Sequence, residues 1–437
     1  MSFQQGLSGL NSTSRAIDVT SNNIANASTV GFKSSSAIFS DMYASSLQGT
    51  NTANQVGMGS KVDAIRQSFT QGNPTSTDNP LDLAVNGNGF FEVGRGDGTT
   101  ALTRNGQFDI DANGYITNAQ GNRLMGYQAT DAVTGLPTAP ETPSNANFQE
   151  LFVPTAGIGA NPTSEITAQV NLNAGAEEID LDADFGLTVP DINNPATYNY
   201  TTSGRIFDSL GVEHSLSYYF VKSDQGEWDV FVSVDNNEIE DGSDPNNPDG
   251  FIGTLAFDNS GRFEESRDPD GEPVGFLSYA GWNFGNGSDP LDIERIDFSS
   301  STQFGSESAL TDHSQDGFTD GELAGISVGQ NGVIEGRYTN GQTQSLGLIN
   351  LTNVRNPNGL SSEGDNLWTT TADSGEAVRG PAGVGLNGVI NSGQVEESNV
   401  DLTRELVDLI IQQRNYQANA QSIQTQDQLL QTLVTLR

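Results

Sequence analysis

Apolar positions recur in steps of four and three at both ends of the chain, and in steps of two between them. Phe3, Leu7, Leu10, Ser14, Ile17, Ser21 and Ile24 keep the first spacing. That is the period of a helix laying one seam against a partner, here with small residues at two seam positions. Ser2 and Gln5 offer a capping box and Gly31 a left-handed stop, so the pattern predicts a helix over 3–27. Leu402, Leu406, Leu409, Gln413, Tyr416, Ala420, Ile423, Asp427, Leu430 and Val434 repeat the alternation behind a Ser398–Asp401 box, and predict a second helix over about 400–436. Isolated helices draw little stability from propensity. The two ends must therefore meet each other or further copies of the chain.

The middle reads as β structure. Residues 81–93, LDLAVNGNGFFEV, alternate around a glycine-rich turn, and residues 104–127 hold two strand–turn units punctuated by Asn113-Gly114 and Gly121-Asn122. Residues 326–351 return to the same cadence at Asn331-Gly332 and Asn340-Gly341, as the second half of one discontinuous domain. Between the halves lies a block with its own strand signals, SLSYYFVKS at 215–223 and EWDVFVSVD at 227–235, and surface loops such as DGSDPNNPDG at 241–250. The expected fold class is multi-domain and nested, with an α-helical coiled-coil terminal domain and discontinuous, mainly-β domains. Residues 1–30 and 396–437 supply the paired helices and 31–75 an extended or hairpin connector. Residues 76–147 and 322–395 form a β-rich middle domain, and 148–321 an acidic β-rich outer domain.

Composition supports that division. At 437 residues the chain is long enough for two or three domains, and its 50 glycines favour turn-rich β structure. The net charge is −38, and 35 of the 56 acidic residues but 5 of the 18 basic ones lie between 141 and 322. Such a field repels phosphate backbones and anionic headgroups, so neither nucleic acid nor a membrane surface is an expected partner. No apolar run reaches the ~20 residues of a membrane span, and the start lacks the basic and apolar regions of a cleaved leader. The absence of cysteine excludes disulfides and thiolate metal sites.

Candidate chemistry is sparse. DIDANGYI at 109–116 matches the first eight positions of a calcium loop, but Gln120 stands where a bidentate Glu is needed, and a hairpin turn is the expectation. The acidic block reads as a solvated face. Asp312-His313-Ser314 sets triad residue types side by side, which says little about a spatial triad, and an exposed loop is expected there. VGMGSK at 56–61 lacks the upstream glycine of a phosphate loop. No cofactor, metal or catalytic residue is assigned.

Residues 21–39, SNNIANASTVGFKSSSAIF, carry a single charge, Lys33, among Ser, Asn, Ala and Thr. SNNIANASTVGFK resembles the amino-terminal signature of the flagellar rod and hook family, and residues 397–437 resemble its carboxy-terminal signature. NPLDLAVNGNGFFEV at 79–93 and NGQTQSLGLINL at 340–351 are similar to further family segments. Length and the acidic insertion point to the hook members, which carry an additional outer domain, over the shorter distal rod members.

The resemblance implies a non-enzymatic subunit of an extracellular, hollow tube that joins rod to filament and bends as it turns. Its partners would be many copies of itself, the distal rod protein, a cap, junction proteins and the flagellar type III export apparatus. On that reading the polymerisation seam is Leu7, Leu10, Ile17 and Ile24 with Leu402, Leu406, Leu409, Tyr416, Ile423, Leu430 and Val434. The hinges are Gly57, Gly59, Gly72, Gly380 and Gly383. The small polar residues of 21–39 would either line a non-adhesive lumen or permit close helix packing. A distal rod protein and a secreted calcium-dependent adhesin or hydrolase are the alternatives.

Overall fold

The computed structural model describes residues 2–42, 59–129, 148–154, 157–239 and 250–435; Gly57, most of the loop at 241–250 and the side chain of Val434 lie outside them. Helix α1 spans Ser2–Ala25 and helix α2 spans Leu402–Thr435. Asp401 caps α2, its Oδ1 accepting from the backbone N–H of Thr403 at 3.0 Å and of Arg404 at 3.2 Å, so the cap falls on the last residue of the expected box. Helix α1 stops at Ala25, earlier than its apolar pattern predicts, because Asn26, Ala27 and Thr29 turn back onto carbonyls at 22–26. Gly31 lies beyond those turns. It takes φ +71°, donates to the Glu396 carbonyl at 2.8 Å, and sits where a Cβ would come within 2.6 Å of Asn105 N.

The chain divides into two compact units, residues 1–155, 324–337 and 343–437 in one, 156–323 and 338–342 in the other. The first holds both helices, an antiparallel pair of strands β1 (Ser35–Asp41) and β2 (Ser60–Gln67), and a large mixed-origin sheet. Its organiser is the long strand Thr343–Val354. The early part of that strand pairs with Val333–Tyr338 and Arg123–Gln128, the later part with Phe90–Gly94 and Ala377–Pro381. Segments from both halves of the sequence therefore close one core, with Leu83, Phe91, Phe108, Ile116, Leu124, Ile349 and Leu351 at 1% exposure or less. Phe69, Phe90 and Trp368 form an edge-to-face triangle with centroids 5.6–5.9 Å apart, and Trp368 Nε1 donates to Gln67 Oε1.

The second unit pairs a six-stranded antiparallel meander over 200–274 with a five-stranded sheet centred on Glu165–Asn173. Trp228, Tyr218, Phe220, Ile166, Leu172, Ile293 and Phe298 fill one shared core. Many of its acidic residues are turn formers. Asp258 Oδ1 accepts the N–H groups of Ser260 and Arg262 and Asp208 those of Leu210 and Val212, whereas Asp316 accepts those of Ser164 and Glu165 at the start of a strand remote in sequence. The Ser260 hydroxyl, with the N–H groups of Arg262 and Ser260, holds the Asp258 carboxyl below its ordinary range; for Asp208 burial opposes the shift, and the Asn286 amide and the N–H groups of Val212 and Leu210 outweigh it. His313 departs from the expected loop. It lies in the strand Ala309–Gln315, its ring against Gly204 and 6.2 Å from the Tyr218 ring, and burial pushes its pKa down. In a strand, Asp312 and Ser314 point to the opposite face.

Candidate functional site

The two helices run antiparallel and approach closely because α1 has no side chain at two contact positions. A Cβ on Gly6 would stand 3.0 Å from Ile423 Cγ1, and one on Gly9 would stand 3.0 Å from the Asn419 amide. At the other end of the pair Asn23 Nδ2 donates to Glu405 Oε1 at 3.1 Å and to the Ser35 carbonyl, while its Oδ1 accepts from Ser35 N. Burial raises the Glu405 pKa, against the Asn23 hydrogen bond and with help from Asp408.

The burial pattern of α1 inverts the usual rule. Ser12, Ala16, Thr20 and Asn23 are at most 5% exposed, spaced four, four and three apart, whereas Phe3 and Leu7 are 47% and 44% exposed. Ser12 Oγ donates to the Ser60 carbonyl at the start of β2. The small polar residues are thus the face α1 turns towards the rest of its own chain, and Ser12 and Asn23 satisfy backbone groups there. Leu10, Ile17 and Ile24 are half-buried. Along α2, Leu409 and Ile423 are half-buried, while Leu402, Leu406, Tyr416 and Leu430 are exposed. Val407, Ile410 and Ile411 join Leu402 and Leu406 in an exposed apolar patch over the first turns of α2 that no part of the described chain covers. The apolar spacing of the sequence includes Leu402 and Leu406 but not Val407, Ile410 and Ile411, and the buried polar face of α1 carries no hydrophobic signal.

Beneath the helices lies a buried ion cluster. Lys33 Nζ is 2.5 Å from Glu396 Oε1, and Arg104 Nη1 is 3.2 Å from Glu396 Oε2, with all three side chains at most 5% exposed. Lys33 also donates to the Thr70 carbonyl, Gly72 N to Glu396 Oε1, and Arg104 to the carbonyls of Val85 and Gly87. Burial lowers the pKa of both cations; the attraction of Glu396 opposes it. A neighbouring lock is Asn399, whose Oδ1 accepts from Ser34 N while its Nδ2 reaches the carbonyls of Ser68 and Thr70. The cluster joins the chain after α1, the chain before α2, the segment at 70–72 and the body at 85–104. Its composition of one Lys, one Arg and one Glu, far apart in sequence, left no local signal.

The glycines marked as hinges occupy defined positions. Gly59 takes φ +123° immediately before β2, with its Cβ direction aimed at Ser8 Oγ. A Cβ on Gly72 would meet the Glu397 carbonyl at 1.9 Å. Gly380 pairs with Leu351, and Gly383 takes φ +75° in the following turn. Residues 108–118 form the expected hairpin, Asp111 Oδ1 accepting from Asn113 N and Tyr115 N. Among the described residues no group of three or more His, Cys, Asp or Glu is arranged to hold a metal ion.

Four family profiles match in order along the chain. Residues 3–33 match the flagella basal body rod protein profile, 84–184 the flagellar hook protein FlgE/F/G D1 domain, 171–318 the flagellar basal body protein FlaE D2 domain, and 391–436 the flagellar basal body rod FlgEFG protein C-terminal region. They define the class as the axial proteins of the flagellar rod and hook. The flagellar hook protein FlgE of Escherichia coli (strain K12) is 38% identical over the full length of both chains, and that of Salmonella typhimurium 37%. The one from Borreliella burgdorferi is 32% identical over 100% of this chain and 99% of its own. The chain belongs to the flagellar hook protein family. The crystal structure of Helicobacter pylori flagellar hook protein FlgE2 shares the fold, at TM-score 0.54 and 16% identity over 72% of this chain and 99% of that one.

Proposed function

We propose that many copies of this chain polymerise through their terminal helices into the hollow, flexible hook tube outside the cell, which passes torque from rod to filament. One observation carries the reading: Leu402, Leu406, Val407, Ile410 and Ile411 of α2 are 44–52% exposed in the single chain. A capped, family-typical helix that leaves this patch bare requires neighbours to cover it. The acidic unit, whose turns are tied by its own carboxylates, stands as the outer domain and makes wet, adjustable contacts. Bending is taken up next to Gly59, where the chain enters β2.

The tube has the distal rod protein at its base, a cap during growth and junction proteins at its far end, and its subunits pass unfolded through the type III export apparatus. The role is mechanical, with no catalytic step. No described helix is long and apolar enough to cross a membrane. The test is electron microscopy of a strain whose own hook gene is deleted and replaced by this one. Curved tubes on intact rods are expected; rods that never extend would favour the distal rod reading. Calorimetry with calcium addresses the adhesin reading, which requires saturable binding and a large rise in melting temperature.

A further inference from the structure

The turn after the strand Ala377–Pro381 is a rigid, uncharged knob tipped with apolar side chains. Leu386 is 82% exposed, Val384 60% and Val378, on the strand itself, 66%. Leu386 is the most exposed large apolar residue of the described chain. Asn387 fixes the turn from inside: its Nδ2 donates to the carbonyls of Gly380 at 2.9 Å and Pro381 at 3.0 Å, and its Oδ1 accepts from Asn353 at 2.6 Å. Backbone bonds from Gly383 N to Gly388 O and from Gly388 N to Asn88 O complete the clamp. The strand that leads into it pairs, among the described residues, with Thr343–Val354 alone, so the knob stands at a free margin of the sheet.

We infer that this knob is a contact surface for a second copy of the same chain, separate from the helix seam; the inference rests on the polymer reading above. Two arguments select that occupant. No charged residue occurs between Gly380 and Val395 in a chain of net charge −38, and Arg379 just before is held bidentate by Glu92. Identical acidic chains repel wherever their carboxylates would face each other, so neutral apolar patches are where they can touch. A cationic partner would be drawn to the carboxylates instead. Because the turn is already ordered, docking it loses little conformational entropy.

The chain has no cysteine, so Leu386→Cys gives a single attachment point for a benzophenone maleimide. Mixed with unlabelled chain and assembled, it should yield on illumination a covalent dimer of this chain, well above the yield from an Asp373→Cys control on the exposed surface. Leu386→Ser should raise the critical concentration for assembly at least about tenfold with the monomer melting unchanged. Tubes that form normally, with neither an excess of cross-link at 386 nor a shift in critical concentration, overturn this contact and leave the polymer reading intact. Failure of the unmodified chain to form tubes overturns both.

Discussion

Lys33 and Glu396, 363 positions apart, meet at 2.5 Å with both side chains essentially removed from solvent. Lys33 is the one charge in the otherwise neutral stretch at 21–39, and its partner precedes α2 by six residues. The pair, with Arg104, sets where both helices leave the β body.

Removing the anion leaves two buried cations unpaired, whereas removing Lys33 leaves Arg104 and Glu396 balanced. Glu396→Gln is expected to lower monomer stability by about 3–5 kcal/mol, and Lys33→Met by much less. Urea unfolding of the two variants checks the order. Equal losses would mean that the cluster is not governed by charge balance.

Gly72 passes so near the Glu397 carbonyl that any side chain must separate the two segments and break the bond from Gly72 N to Glu396. Gly72→Ala should cost about 1–3 kcal/mol through overpacking. A freely moving hinge at this position would accept Ala with no loss, so thermal melting distinguishes close approach from flexibility.

Leu406 lies on the uncovered patch and is 44% exposed. Leu406→Asp is expected to shift monomer stability by less than about 0.5 kcal/mol. It should abolish tube formation, because an unpaired charge is then desolvated between subunits. Sedimentation of assembly reactions reads the effect; normal pelleting would remove α2 from the interface.

Burial raises the folded pKa of Glu405 above its ordinary 4.5. The folded form then binds more protons than the unfolded between 4.5 and the raised value, so this group's contribution falls as pH rises through that window. Glu405→Gln keeps an oxygen for Asn23 and loses the charge. The variant monomer should melt above the parent at pH 7, by less than about 1 kcal/mol since the group is mostly solvated, and lose that advantage below pH 4.5. A variant less stable at pH 7 would contradict the sign.

Both helices, the interleaved β halves and the acidic insertion were legible because each rests on a local period or turn signal. Leu402 and Leu406 announced an apolar stripe. Ser12, Thr20 and Asn23, which α1 buries, did not, since their role comes from close approach at Gly6 and Gly9 and from hydrogen bonds to β1 and β2. The end of α1 was misplaced for a related reason. Gly31 reads as a helix stop but serves a tertiary contact with Glu396 and Asn105, and such long-range demands leave no trace in neighbouring residues. His313 followed the same course, its strand placement set by pairing with Glu165–Asn173 across the sequence.

Amide hydrogen exchange, compared between dilute monomer and assembled tube, tests most directly whether order in α2 belongs to the assembly. The account predicts much faster exchange across 402–435 in the monomer than in the tube, with the strands over 213–234 protected in both. Equal protection of α2 in the two states would contradict it.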